Sequence, residues 1–184
     1  MTTWQSCLAR AGLVLIFAAL FATDRAAASP ARDPNSSDVL RPANQFLKNL
    51  VQEGLARSAT LRDLVARLES DGIIVYLNSG LPLGPNTVGR TRFMGAGGKT
   101  RYLMTDLDDR LAKPELLALL GHELEHTVEI GDDPSVVDDA TLIALYQQIG
   151  SAHGTKQNRQ QWFETDAAIE TGRRVYGELF TKSR

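Results

Sequence analysis

The sequence predicts an α+β domain in which helices come first, a small sheet follows and helices return. Three observations predict it. Apolar residues recur at helical spacing between Val39 and Leu68, runs of strand length occupy Ile73 to Leu107, and helical spacing resumes from Pro114 onward. The sheet is expected to be three-stranded and mostly antiparallel.

Taken in order, the chain opens with what reads as an export signal. Arg10 supplies a positive start, Ala11 to Ala22 form a twelve-residue apolar run, and Ala26-Ala27-Ala28 offers a small-x-small cleavage pattern. A bilayer span needs about 20 apolar residues, so cleavage after Ala28 is expected and no stable membrane insertion should follow it. The mature chain would be periplasmic or secreted, beginning at Ser29 and holding 156 residues, enough for one domain over 39–184. Its first stretch, "SPARDPNSSD" (29–38), has the composition of a disordered segment.

Two helices should follow, buried through Phe46, Leu47, Leu50 and Val51 and then through Leu61, Leu64, Val65 and Leu68, with Ser58 and Thr60 as caps between them. The residues from Val39 to Ser58 could also act as a propeptide over a cleft. "IIVYLN" (73–78) is the first strand, and "SGLPLGPN" (79–86) must be a loop. "TVGRTRFM" (87–94) and "TRYLMTDL" (100–107) flank "GAGGK" as a hairpin. Pro114 and Glu115 suit the first turn of a helix ending near Gly131. Further helices are expected over about 136–149 and about 157–180.

Composition narrows the chemistry. Without Arg10, Arg25 and Asp24 the mature chain keeps 18 basic and 21 acidic residues, a formal charge of −3, which gives no footing for nucleic acid. The only cysteine, Cys7, lies in the signal. Disulfides and thiolate ligands are therefore excluded from the mature chain, and any metal would be held by carboxylates and the three histidines.

One stretch carries that chemistry: "LLALLGHELEHTVEIGD" (116–132). Helical residues four apart are offset by about 40° and one turn, so His122 and His126 can aim two imidazoles at one cation. Glu123, about 100° around the axis from His122, stands where a general base would take a proton from metal-bound water. Catalytic zinc keeps three protein ligands and one open position. A third ligand is therefore needed. The metzincin arrangement would require Gly and His where Glu129 and Asp132 stand, so it is excluded.

Downstream, "WFETDAAIETGRRVYGEL" (162–179) offers carboxylates on what reads as a helix. Glu164 shares a stripe with Ala168, Val175 and Leu179, whereas Asp166 shares one with Trp162, Ile169, Tyr176 and Phe180. Both stripes look apolar enough to be buried. The small residues Ala167 and Ala168 favour Glu164, with Asp166 as the alternative and His153 as a further one. His153 also reads as a loop residue or an oxyanion donor. Tyr102, Tyr146, Arg173 and Arg174 are other possible transition-state donors.

The residues His122, Glu123, His126 and Glu164 together resemble the small HExxH zinc metallopeptidases of gluzincin type, a minimal zincin domain. "SATLRDLVARLESDGIIVYL", "HELEH" and "FETDAA" also resemble a group of uncharacterised exported bacterial proteins over about residues 56–180. The resemblance implies a zincin-like fold, zinc held by His122, His126 and Glu164, Glu123 as general base, and a peptide or protein substrate. It departs from many gluzincins at Ala168, where an acidic residue would support a ligand histidine. Asp138, Asp139 and Asp166 are candidates for that role. "IIVYLN" and "TRYLMTDL" are the strands expected to pair with an extended peptide. The rival expectation is a zinc-binding interaction module with little or no hydrolysis.

Overall fold

The structure, a computed structural model, describes residues 37–80, 83–84, 87–153 and 162–181. The expected export signal and all but the last two residues of the segment 29–38 lie outside them. Among the described residues no helix is long and apolar enough to cross a membrane.

Among the described residues the class is α+β, with five helices and two sheets. The chain begins with strand β1 (Leu40–Pro42), then helix α1 (Gln45–Arg57) and helix α2 (Ala59–Ser70). Asn44 caps α1 by accepting from the Leu47 N–H at 2.9 Å, and Ser58 caps α2 by accepting from Leu61 at 3.0 Å. Thr60, expected as a cap, lies inside α2, where its hydroxyl donates to Glu178. The buried residues Leu47, Leu50, Val51 and Leu55 give α1 one apolar stripe, pressed into the same core as Leu61, Leu64 and Leu68 of α2. The stretch 39–58, expected as a possible propeptide, contributes a strand to the sheet and a helix to the core.

Three further strands complete the main sheet: β2 (Ile73–Ser79), β3 (Gly89–Gly97) and β4 (Thr100–Leu107). Their order is β1-β2-β4-β3. The expected three-stranded, mostly antiparallel sheet is a four-stranded mixed one, in which β1–β2 and β2–β4 are parallel and only the β3–β4 hairpin is antiparallel. Side-chain character explains the order. Leu103, Thr105 and Leu107 of β4 are fully buried, whereas β3 presents glycines and polar groups along its length. The more apolar hairpin arm takes the interior position, and β3 takes the edge. Consequently β4 is interior, and β1 covers the middle of β2 at Val75, Tyr76 and Leu77, so the long free edge is β3 and not the two strands expected to pair with a peptide.

Helix α3 (Lys113–Asp132) lies across the core face of this sheet. Pro114 occupies its first turn, and Leu116, Leu117, Leu120, Leu124 and Val128 form its buried stripe. Its far end is held by Arg101 of β4, whose guanidinium donates to the carbonyls of Ile130, Gly131 and Asp133 at 2.6, 2.7 and 2.8 Å. A cation there satisfies exposed helix-end acceptors and opposes the negative end of the dipole.

Helix α4 (Asp139–Ile149) starts later than the expected 136 because Asp138 forms a reciprocal capping box with Thr141. Strand β5 (Ser151–His153) then pairs antiparallel with β6 (Trp162–Glu164), and helix α5 (Asp166–Phe180) ends the described chain. The expected helix over 157–180 is thus corrected. Residues 157–161 lie outside the described part, 162–164 are strand, and the helix begins at Asp166 with Thr165 as its cap.

Candidate metal centre

One close helix crossing and one strand edge build the site. Helix α5 packs on α3 where Gly172 faces the latter. A Cβ at Gly172 would stand 3.2 Å from the Ala118 carbonyl oxygen and 3.3 Å from the His122 Cβ. On the other flank β3 presses Gly89 against Glu123, where a Cβ would come within 2.2 Å of Glu123 Oε1. Only glycine leaves room at that point.

His122 and His126 stand on one face of α3 with ring centroids 4.9 Å apart and planes near perpendicular. Glu164, the last residue of β6, meets them from the opposite side, its Oε2 3.2 Å from His122 Nε2. The prospective ligand atoms of His122, His126 and Glu164 all lie within 4.8 Å of one another. No other set of three or more such residues is found among the described residues. The cluster is open on one side, since His122 and Glu164 keep 17% and 32% of their side-chain surface exposed.

The element carrying Glu164 differs from the expectation. It is strand, so Ala167 and Ala168 do not share a helical face with it, and the close approach is made by Gly172 instead. Asp166, the alternative ligand, is exposed in the first turn of α5 and lies outside the cluster. Its stripe is the solvent face, with Tyr176 and Phe180 at 40% and 63% exposure, while Ala168, Val175 and Leu179 are buried.

Glu123 is buried beside the two histidines on α3. It is 4% exposed, and its Oε2 accepts from the Thr91 hydroxyl of β3 at 2.8 Å. Burial pushes its carboxyl above the ordinary range, against the nearby His126 and the Thr91 hydrogen bond, which pull it down. His122 is pulled both ways too. Burial disfavours its charged form, but the Glu164 hydrogen bond and the charges of Glu123, Glu164 and Glu129 outweigh this and raise it.

His126 has a partner that sequence reasoning missed. Glu129 Oε2 lies 2.8 Å from His126 Nδ1. A carboxylate acceptor at that position suits the Nδ1–H tautomer, which leaves Nε2 available as a ligand atom. The signal was available in the i,i+3 spacing on a helix. Asp138, Asp139 and Asp166 do not serve this purpose: Asp138 caps α4, and all three are exposed.

Tyr146 of α4 packs its ring edge-on to His126 and stacks on Phe163, and its hydroxyl donates to the His126 carbonyl at 3.0 Å. His153 lies in β5 opposite Trp162, with its side chain outside the described residues. The donor set of two imidazoles and a carboxylate suits a borderline divalent cation such as zinc. The described partners of Glu123 and Glu129 are hydroxyls and imidazole, with neither ammonium nor guanidinium among them, so a cation would offset local negative charge. Comparison with known proteins finds no matching family model, no matching curated protein and no matching solved structure.

Proposed function

We propose that this chain is a zinc-dependent metallopeptidase in which His122, His126 and Glu164 hold the metal and Glu123 acts as general base. The observation that carries the reading is the convergence of those three ligand groups to within 4.8 Å, with Glu123 beside them on α3. When bound there, zinc would supply a Lewis acid for the substrate carbonyl and a lowered pKa for water.

The chain's own residues support the remaining steps. Glu123 is held by Thr91 and raised by burial, which suits a group that takes a proton from attacking water and returns it to the leaving amine. The edge strand β3, which carries Thr91 and Gly89 against Glu123, has backbone groups on its outer side with no strand partner among the described residues. An extended peptide pairing there would lie next to the base, independent of its side chains.

One observation favours a second reading, a metal-binding interaction module without hydrolysis. The Tyr146 hydroxyl is committed to a backbone carbonyl, which removes it as a donor to a developing oxyanion. A single experiment separates the two. The purified chain, loaded with zinc, is incubated with a mixed peptide library and the products are read by mass spectrometry beside Glu123→Gln. Cleavage that needs zinc and is lost in the variant supports the peptidase; bound zinc with no cleavage supports the module.

A further inference from the structure

The third ligand reaches the histidines from a different part of the chain, so something must fix its distance to them. Strand pairing is one constraint, with Ser151 opposite Glu164. A second one runs through side chains. Glu129, 10% exposed, uses both of its oxygens: Oε2 lies 2.8 Å from His126 Nδ1, and Oε1 accepts from the Thr165 hydroxyl at 2.5 Å. Thr165 is the immediate neighbour of Glu164, and the same hydroxyl caps α5 by accepting from the Ala168 N–H at 3.1 Å. One carboxylate therefore ties a histidine ligand to the residue that follows the carboxylate ligand.

We propose that Glu129 and Thr165 are positioning residues, a latch that sets the spacing between Glu164 and the two histidines so that three donors converge before a cation arrives. The inference rests on the reading of this cluster as a metal centre. It differs from ordinary support of one histidine, because removing the Thr165 end should loosen Glu164 even though Thr165 touches no ligand side chain directly. Groups that hold ligands in this manner change metal affinity by about 10–100-fold when altered.

The test separates the latch from the helix cap that Thr165 also provides. Thr165→Ser keeps both contacts, whereas Thr165→Asp keeps the cap but sets a carboxylate against Glu129. Glu129→Gln is near isosteric and keeps the test in force should Thr165→Asp fail to fold. Zinc dissociation constants are measured by chelator competition, and the visible spectrum of the cobalt(II) protein reports the coordination geometry. The latch predicts that Glu129→Gln and Thr165→Asp each weaken zinc binding about 10–100-fold and alter the cobalt spectrum, with Thr165→Ser within about threefold of wild type. Wild-type affinity and spectrum in both altered proteins would overturn it, leaving strand pairing as the constraint. Weakening in Glu129→Gln alone would overturn the link to Thr165. Absence of zinc from the wild-type chain would overturn the metal centre itself and the latch with it.

Discussion

Asp106 and Glu123 are both nearly inaccessible carboxylates held against strand β3, at 1% and 4% exposure, but on opposite faces of the sheet. Alternate residues of one strand serve them: Arg90 and Arg92 reach Asp106 while Thr91 between them reaches Glu123. Asp106 Oδ2 accepts from both guanidiniums at 2.9 Å, so that face carries its own counter-charge. Glu123 receives a neutral hydroxyl, and Glu129 receives a hydroxyl and an imidazole. A buried carboxylate without a guanidinium or ammonium is costly. The Asp106 face thus holds its counter-charge in the protein itself, whereas the carboxylates beside the histidines have neither guanidinium nor ammonium among their described partners, an imbalance that the proposed cation would offset.

Substitutions on the two faces should therefore fail in different ways. The largest effect is expected from Glu123→Gln, which should lower zinc-dependent peptide hydrolysis by about 10²–10⁴-fold with zinc content unchanged. Initial rates on any cleaved library peptide check this, and parallel loss of zinc would contradict it. Asp106→Ala should do the reverse. It strands two guanidiniums and should cost about 2–3 kcal/mol of stability, below the figure for a fully buried pair because both arginines are half-exposed. Denaturant midpoints measure the cost, and zinc per folded chain should remain at the wild-type level.

A smaller effect is expected at the glycine between the two faces. Gly89→Ala places a methyl against Glu123 and Leu119 Cδ1 and should destabilise by about 1–3 kcal/mol, with reduced hydrolysis as the base is displaced. Hydrolysis at the wild-type rate would show that the base has slack.

The smallest is a pH effect in the metal-free chain. Burial raises the folded-state value of Glu123, so the fold binds that proton more tightly than the unfolded chain does. The contribution supports folding below the unfolded carboxyl value of about 4.3 and is lost as pH rises through the raised folded value. Glu123→Gln removes it. The variant should match wild type near pH 4 and show the higher thermal midpoint at pH 8. A difference independent of pH would contradict this.

Much of this was legible in the residues because local rules govern it. The spacing of His122 and His126, the Pro114 start of α3, and the turn between β3 and β4 follow from short-range geometry. Strand order was not legible, since it depends on which hairpin arm buries more apolar surface against α3. Glu164 meets the two histidines as expected, but from a different element. "WFE" has strand character that an apolar stripe running into α5 concealed. Glu129 was considered only as a position lacking a metzincin glycine, although its distance from His126 along the helix is that of a side-chain pair. The three-residue strand β1 is too short for any periodicity to announce.

The measurement that tests the central claim most directly is elemental analysis of zinc in the purified chain after reconstitution and desalting, beside His126→Ala and Asp106→Ala. The account predicts one zinc per chain in wild type and in Asp106→Ala, and none in His126→Ala. No zinc in the wild-type chain, or equal zinc in His126→Ala, would contradict it.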